Sequence, residues 1–177
     1  MNEAIANTIR HGQAKLQLRA PLTWSLRSSR VRAVQRLKSE LADPIHLVVC
    51  VPVHASGRVT LLLHDGSSGS NNAFRLDVRG SHRNSDLDNR DWQHKTHLHV
   101  WSDAHKERHA IDPFDPPWPT STFDESTDEA SAKDIEHLFE IFCTMFHIKL
   151  GGDYHWTDPL VHITEPEELV VDGDVIP

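Results

Sequence analysis

With 177 residues, the chain has room for one domain with a hydrophobic core and too few residues for two of ordinary size. No run approaches the roughly 18 apolar residues that cross a bilayer, and the N-terminal MNEAIANTIRHGQAK carries Glu3 and no apolar h-region. Neither a membrane span nor a secretory signal is therefore expected, and a cytoplasmic setting is predicted. The net charge of −8 hides an asymmetry, since residues 1 to 40 hold eight Lys/Arg against two Asp/Glu and the remainder ten against twenty-four. A basic arm can track phosphates even in an acidic protein, because steering follows the local field; equally, the two parts can neutralise each other within one fold.

Along the chain, residues 2 to 10 predict a short helix, and SRVRAVQRLKSEL, 29 to 41, a second. In the latter Val31, Val34, Leu37 and Leu41 fall at helical spacing, with Arg30, Arg32, Arg36 and Lys38 on the remaining surface and Pro44 as the stop. Residues 1 to 44 thus read as a basic helical part, with Arg30, Arg32 and Arg36 as candidate nucleic-acid contacts or as an ordinary solvated face. From Ile45 the period changes. IHLVVCVPV and GRVTLLLH, separated by HASG, predict a hairpin; AFRLDVRG and KTHLHVW alternate apolar with polar residues as third and fourth strands; and RHAID predicts a short fifth strand that the following prolines stop.

After an acidic loop, DIEHLFEIFCTMFHI predicts a helix over 132 to 148, its stripe of Ile135, Leu138, Phe139, Phe142 and Phe146 covering one sheet face and Gly151 and Gly152 ending it. The tail from Asp153 has seven acids and no Lys or Arg. Cys50, in an apolar run, and Cys143, in the helix, read as buried thiols rather than a disulfide framework. The fold predicted is a single α+β domain over 1–177, with a mainly antiparallel four- to five-stranded sheet over 45–112 and helices packed on one face.

The stretch HKTHLHVWSDAHKERH holds five of the fourteen histidines. If strands 73–79 and 96–101 are neighbours, period-two alternation places Arg75, Asp77, Arg79, His97, His99 and Trp101 on one face, opposite Phe74, Leu76, Leu98 and Val100. The connecting loop brings His82, Asn84, Arg90 and His94 within reach. Three readings fit. His97 and His99 can chelate a divalent metal with His82, His94 or Asp77 completing the shell. One histidine can take a proton and another return it while Arg75 or Arg79 stabilises charge on a phosphate. Or the cluster is a hydrogen-bonded polar face that fixes the long loop. Nucleophile elbows, Walker loops, dinucleotide fingerprints and Cys-x-x-Cys pairs are absent from the sequence, which sets those classes aside.

The runs FRLDVRGSHRNSD and THLHVWSDAHKERHAID and the helix ending FCTMFHI resemble an uncharacterised family of small bacterial and phage-borne proteins. The family core reads Arg-x-Asp, His-x-Asn with a turn, then His-x-His, and is loosely similar to TumE-type toxins of toxin–antitoxin pairs. The resemblance covers residues 73 to 147 and falls on Arg75, Asp77, His82, Asn84, His97 and His99. The turn after Asn84 departs from it, Ser-Asp-Leu-Asp standing where Pro-Asp-Gly is usual.

Residues and resemblance together lead to the expectation of a toxin-like, RNA-directed protein of a mobile element or defence module, a metal-independent ribonuclease without cofactor. In it His97 and His99 are acid/base candidates, His82 the alternate, Arg75 the charge stabiliser and Asp77 the group orienting a histidine. Arg79, Asn84, Arg90 and Trp101 join the three arginines of residues 30 to 36 as binding residues, and the partners expected are RNA or a cognate antitoxin. The rival expectation is a phage or mobile-element inhibitor that binds a host defence complex, its acidic regions from Asp112 to Glu140 and after Asp153 imitating nucleic acid.

Overall fold

The alternating apolar pattern in the middle of the chain builds one antiparallel sheet, and that sheet begins twenty-one residues earlier than the sequence predicts. The structure is a computed structural model and describes residues 2–66, 72–84, 88–113 and 129–164. Strands β2 (Trp24–Arg27), β3 (Arg30–Arg36), β4 (Ile45–Pro52), β5 (Thr60–Asp65), β6 (Asn72–Gly80), β7 (Lys95–Val100) and β8 (Ala110–Ile111) follow one another across a seven-stranded sheet in chain order. Every neighbouring pair is antiparallel. Before them stand α1 (Glu3–Arg10) and β1 (Gln17–Leu18), and after them come α2 (Ala132–Met145), β9 (Lys149–Leu150) and the short α3 (Val161–Thr164). Strands β1 and β9 form a separate parallel pair.

The predicted helix over 29 to 41 is therefore corrected to a strand. SRVRAVQR satisfies two periods at once, because Val31 and Ala33 also alternate strictly with Arg30, Arg32, Val34 and Arg36. Long-range pairing decides between them: β4 offers seven partners in unbroken register, from Arg30 opposite Pro52 to Arg36 opposite His46. Ser28, with φ of 56°, and Ser29 close the hairpin to β2. The two paired strands bury Val31 and Ala33 in the core.

The helices supply the other layer. Asn2 caps α1 by accepting from the Ile5 N–H, and a Ser131/Asp134 capping box starts α2. Ala6 and Ile9 of α1, and Ile135, Leu138, Phe139 and Phe142 of α2, share one buried cluster with Leu47, Val49, Leu61, Leu63, Phe74, Leu76 and Leu98 of the sheet. Phe146 stacks on Phe74 with ring centroids 4.3 Å apart. Helix α2 ends at Met145, three residues short of the expected Ile148, because His147 adopts a left-handed backbone (φ 54°) that turns the chain into β9. Both cysteines are free, Cys143 buried and Cys50 half-buried. No helix among the described residues is long and apolar enough to cross a membrane.

The opposite face of the sheet carries polar rows beside an apolar one, in which Val34 lies opposite Val48 and Val48 opposite Leu62, and it is open at its β3 end. On β3 it presents Arg30, Arg32 and Arg36, all exposed, around a Val34 that is itself 45 % exposed.

Candidate active site on the open sheet face

Register carries one polar row straight across the sheet: Arg32 lies opposite Cys50, Cys50 opposite Thr60, Thr60 opposite Asp77, and Asp77 opposite His97. The adjacent row ends with Arg75 opposite His99. Asp77, His97, His99 and Arg75 thus meet on the face away from the core residues Phe74, Leu76 and Leu98, as the alternation predicts.

Their contacts define the protonation pattern. His97 Nδ1 lies 2.9 Å from the Lys95 carbonyl and His99 Nδ1 2.8 Å from the Glu107 carbonyl. A carbonyl only accepts, so both Nδ1 atoms carry the proton and both Nε2 atoms offer lone pairs. Arg75 bridges two acceptors, donating from Nε to Asp77 Oδ2 at 2.8 Å and from its guanidinium to His99 Nε2 at 2.9 Å. The Thr60 hydroxyl donates to Asp77 Oδ1 at 2.9 Å. Burial alone would raise the Asp77 carboxyl, but the Arg75 charge and the Thr60 hydroxyl outweigh it and hold the carboxyl below the usual carboxylate range. Desolvation dominates at His97 and lowers it to about 4, despite the Lys95 hydrogen bond, so this imidazole is neutral at pH 7.

Three residues that the sequence reading passed over complete the site. Trp92 is buried and covers His97, ring centroids 5.7 Å apart. Thr60 holds the second oxygen of Asp77. Gly80 closes a bulge after Asp77, and a Cβ there would fall 2.8 Å from Asp77 Cβ and 2.9 Å from His97 Cε1, so no larger residue fits without moving one of them. Trp92 shares an otherwise polar loop with one other large apolar residue, Leu87, and Thr60 is a polar residue inside an apolar strand; the sequence marks both as unusual in place but not what they touch.

The three histidines of the cluster differ in access. His97 and His99 are sealed, at 0 % and 1 % exposure, whereas His82 is half-buried above them. The His82 ring lies 4.6 Å from that of His99 and 5.8 Å from that of His97, and its Nε2 donates to the Arg108 carbonyl at 2.7 Å. Consecutive carbonyls of one turn, Glu107 and Arg108, thereby orient two imidazoles. Because a substrate reaches only an accessible group, the acid/base expectation moves from His97 and His99 to His82.

Other expected binding residues have different surroundings. Asn84 is buried and exchanges hydrogen bonds with the Ala110 backbone at 2.7 and 2.9 Å, tying the long loop to β8. Trp101, past the end of β7, turns into the core cluster at 5 % exposure instead of joining the histidine face. Arg79 has φ of 49° within the bulge, which breaks the alternation that would align it with Asp77. Arg90 stacks over Trp92 at 4.0 Å and so backs the cover of His97. His94 is exposed. Most of the acidic segment, including Asp124, Glu125 and Asp128, and the tail beyond Thr164 lie outside the described residues.

Burial of neutral His97 makes stability depend on pH. Its folded value of about 4 lies below the unfolded 6.5, so its contribution is complete above pH 6.5 and is lost as pH falls toward 4. Denaturant unfolding in the presence of a chelator should show wild type losing about 3 kcal/mol more than His97→Gln across that window. Parallel pH profiles for the two proteins would count against a buried neutral imidazole.

Comparison with known proteins found no family model, curated protein or solved structure that matches this chain. The site therefore stands on its own geometry.

Proposed function

We propose that the chain is an RNA-directed, toxin-like protein that lays a single-stranded phosphodiester backbone across the open sheet face and cleaves it beside Arg75 and His82. The observation that carries this reading is the continuous polar row from Arg32 through Thr60 to Asp77 and His97, flanked on β3 by Arg30 and Arg36. At the usual strand spacing of about 4.8 Å, Arg32 stands roughly 14 Å from Asp77, a span that a few nucleotides cover. Three exposed guanidiniums at one end supply the electrostatic track. At the other end Arg75, partly exposed, is placed to stabilise charge on a phosphate, and His82 to move a proton. Asp77 acts through Arg75 and His99 and is a positioning residue.

The test is a cleavage assay with the full-length chain on unstructured RNA. Wild type should cleave, His82→Ala should lower the rate on the order of a hundredfold or more while RNA binding persists, and Arg75→Met should lower it similarly. A wild-type chain that binds RNA but leaves it intact would reduce the proposal to binding alone. Unchanged cleavage by His82→Ala would remove that residue from the chemistry.

A further inference from the structure

We infer that Asp77, His97 and His99 form a binding site for a divalent first-row transition ion, held by Asp77 Oδ2 and the two Nε2 atoms. This uses the same cluster as the cleavage reading but does not depend on RNA being the substrate, and it replaces the metal-independent expectation drawn from the sequence.

Three acceptors converge there. Asp77 Oδ2 lies 3.4 Å from His99 Nε2 and 3.7 Å from His97 Nε2, and donor atoms of all three residues lie within 4.8 Å of one another. An ion about 2.0 to 2.1 Å from each donor of a tetrahedron requires donors roughly 3.3 Å apart. The two separations from Asp77 fit that edge with small adjustments, and the two imidazoles lie within 4.8 Å of each other. Lone pairs brought this close repel unless a cation or a proton lies among them. Arg75 serves two of the three acceptors, and His97 Nε2, fully buried, has no hydrogen-bond partner among the described residues. A buried imidazole nitrogen left without a partner and aimed at a carboxylate is the feature that protein groups alone leave unexplained.

The surroundings are those of a ligand set. Each histidine presents Nε2 inward and donates Nδ1–H to a backbone carbonyl, which fixes ring orientation and raises the basicity of the coordinating nitrogen. Thr60 holds the other carboxylate oxygen. Gly80, without a side chain, leaves the space that Asp77 and His97 fill, since a Cβ there would fall within 3 Å of both. Two imidazoles and one carboxylate suit zinc, iron(II), cobalt(II) or manganese, and three protein donors leave a coordination position for water or a substrate oxygen. Arg75 is the internal competitor: its guanidinium contacts the same Oδ2 and Nε2 atoms, and its partial exposure gives it room to swing aside toward a bound phosphate.

Cobalt(II) and zinc titrations of the full-length protein, without RNA, test the inference. Wild type should take up one equivalent, with visible d–d absorption for cobalt and a higher Tm with zinc. Asp77→Asn and His99→Gln should weaken uptake on the order of a hundredfold or more. Arg75→Met should bind about tenfold more tightly, because a competing positive charge has gone. His46→Gln/His64→Gln, which alters a stacked histidine pair elsewhere on the sheet, should bind as wild type does. The inference is overturned if wild type shows neither cobalt bands nor a zinc-dependent Tm. It is equally overturned if uptake persists undiminished in Asp77→Asn and His99→Gln, or if Arg75→Met loses as much as Asp77→Asn. Any of these results leaves the RNA reading to its own assay.

Discussion

Phe139→Ala and Phe142→Ala are each expected to destabilise the protein by about 3 to 5 kcal/mol. Both rings are fully buried on α2. Phe139 packs against Tyr154 and Trp156 at centroid distances of 5.8 and 5.5 Å, and Phe142 against Phe146 at 4.7 Å, which in turn stacks on Phe74 of β6. Truncation removes that apolar area and leaves a cavity that a rigid sheet on one side cannot collapse to fill. Since a domain of this size is stable by roughly 5 to 15 kcal/mol, either change approaches the margin of folding. Urea denaturation measures the effect, with exposed Glu140→Ala as a control expected within about 0.5 kcal/mol of wild type. A loss below about 1 kcal/mol for both phenylalanines would mean that α2 does not seal this face of the sheet.

How much of this was legible in the sequence depends on whether local periodicity had a competitor. Strands β6 and β7 and helix α2 each carry one unambiguous period, strands β4 and β5 read as short Val/Leu-rich runs set off by a turn, and the facing of Arg75, Asp77, His97 and His99 follows directly from alternation in β6 and β7. Residues 29 to 36 carry two periods, and only pairing with a distant strand decides between them; the same misreading hid that Arg30, Arg32 and Arg36 share a face with the histidines. Arg79 and Trp101 were misplaced for a different reason. Alternation was extended by one or two residues past the point where a bulge, or the end of the strand, resets it. Trp92 over His97 and Thr60 under Asp77 are contacts between elements, which no local pattern encodes. Access was equally hidden: the sequence puts His97 and His99 ahead of His82, and burial seals the first two and leaves His82 partly accessible.

The central claim, that nucleic acid lies on the sheet face opposite α2, is tested most directly by the salt dependence of RNA binding in Arg30→Glu/Arg32→Glu/Arg36→Glu. These side chains are exposed, so the fold should persist within about 0.5 kcal/mol per site. Each phosphate contact to a single strand contributes about 0.7 to the slope of log K against log salt, so losing three should flatten it by about 2. Affinity at moderate salt should fall roughly a hundredfold, reversal adding repulsion to the lost contacts. Lys133→Glu, on the exposed side of α2, removes a positive charge from the helical layer and should leave both quantities nearly unchanged. The account predicts a shallow slope and weak binding for the triple variant alone. Wild-type affinity and slope in that variant, or an equal loss in Lys133→Glu, would contradict it.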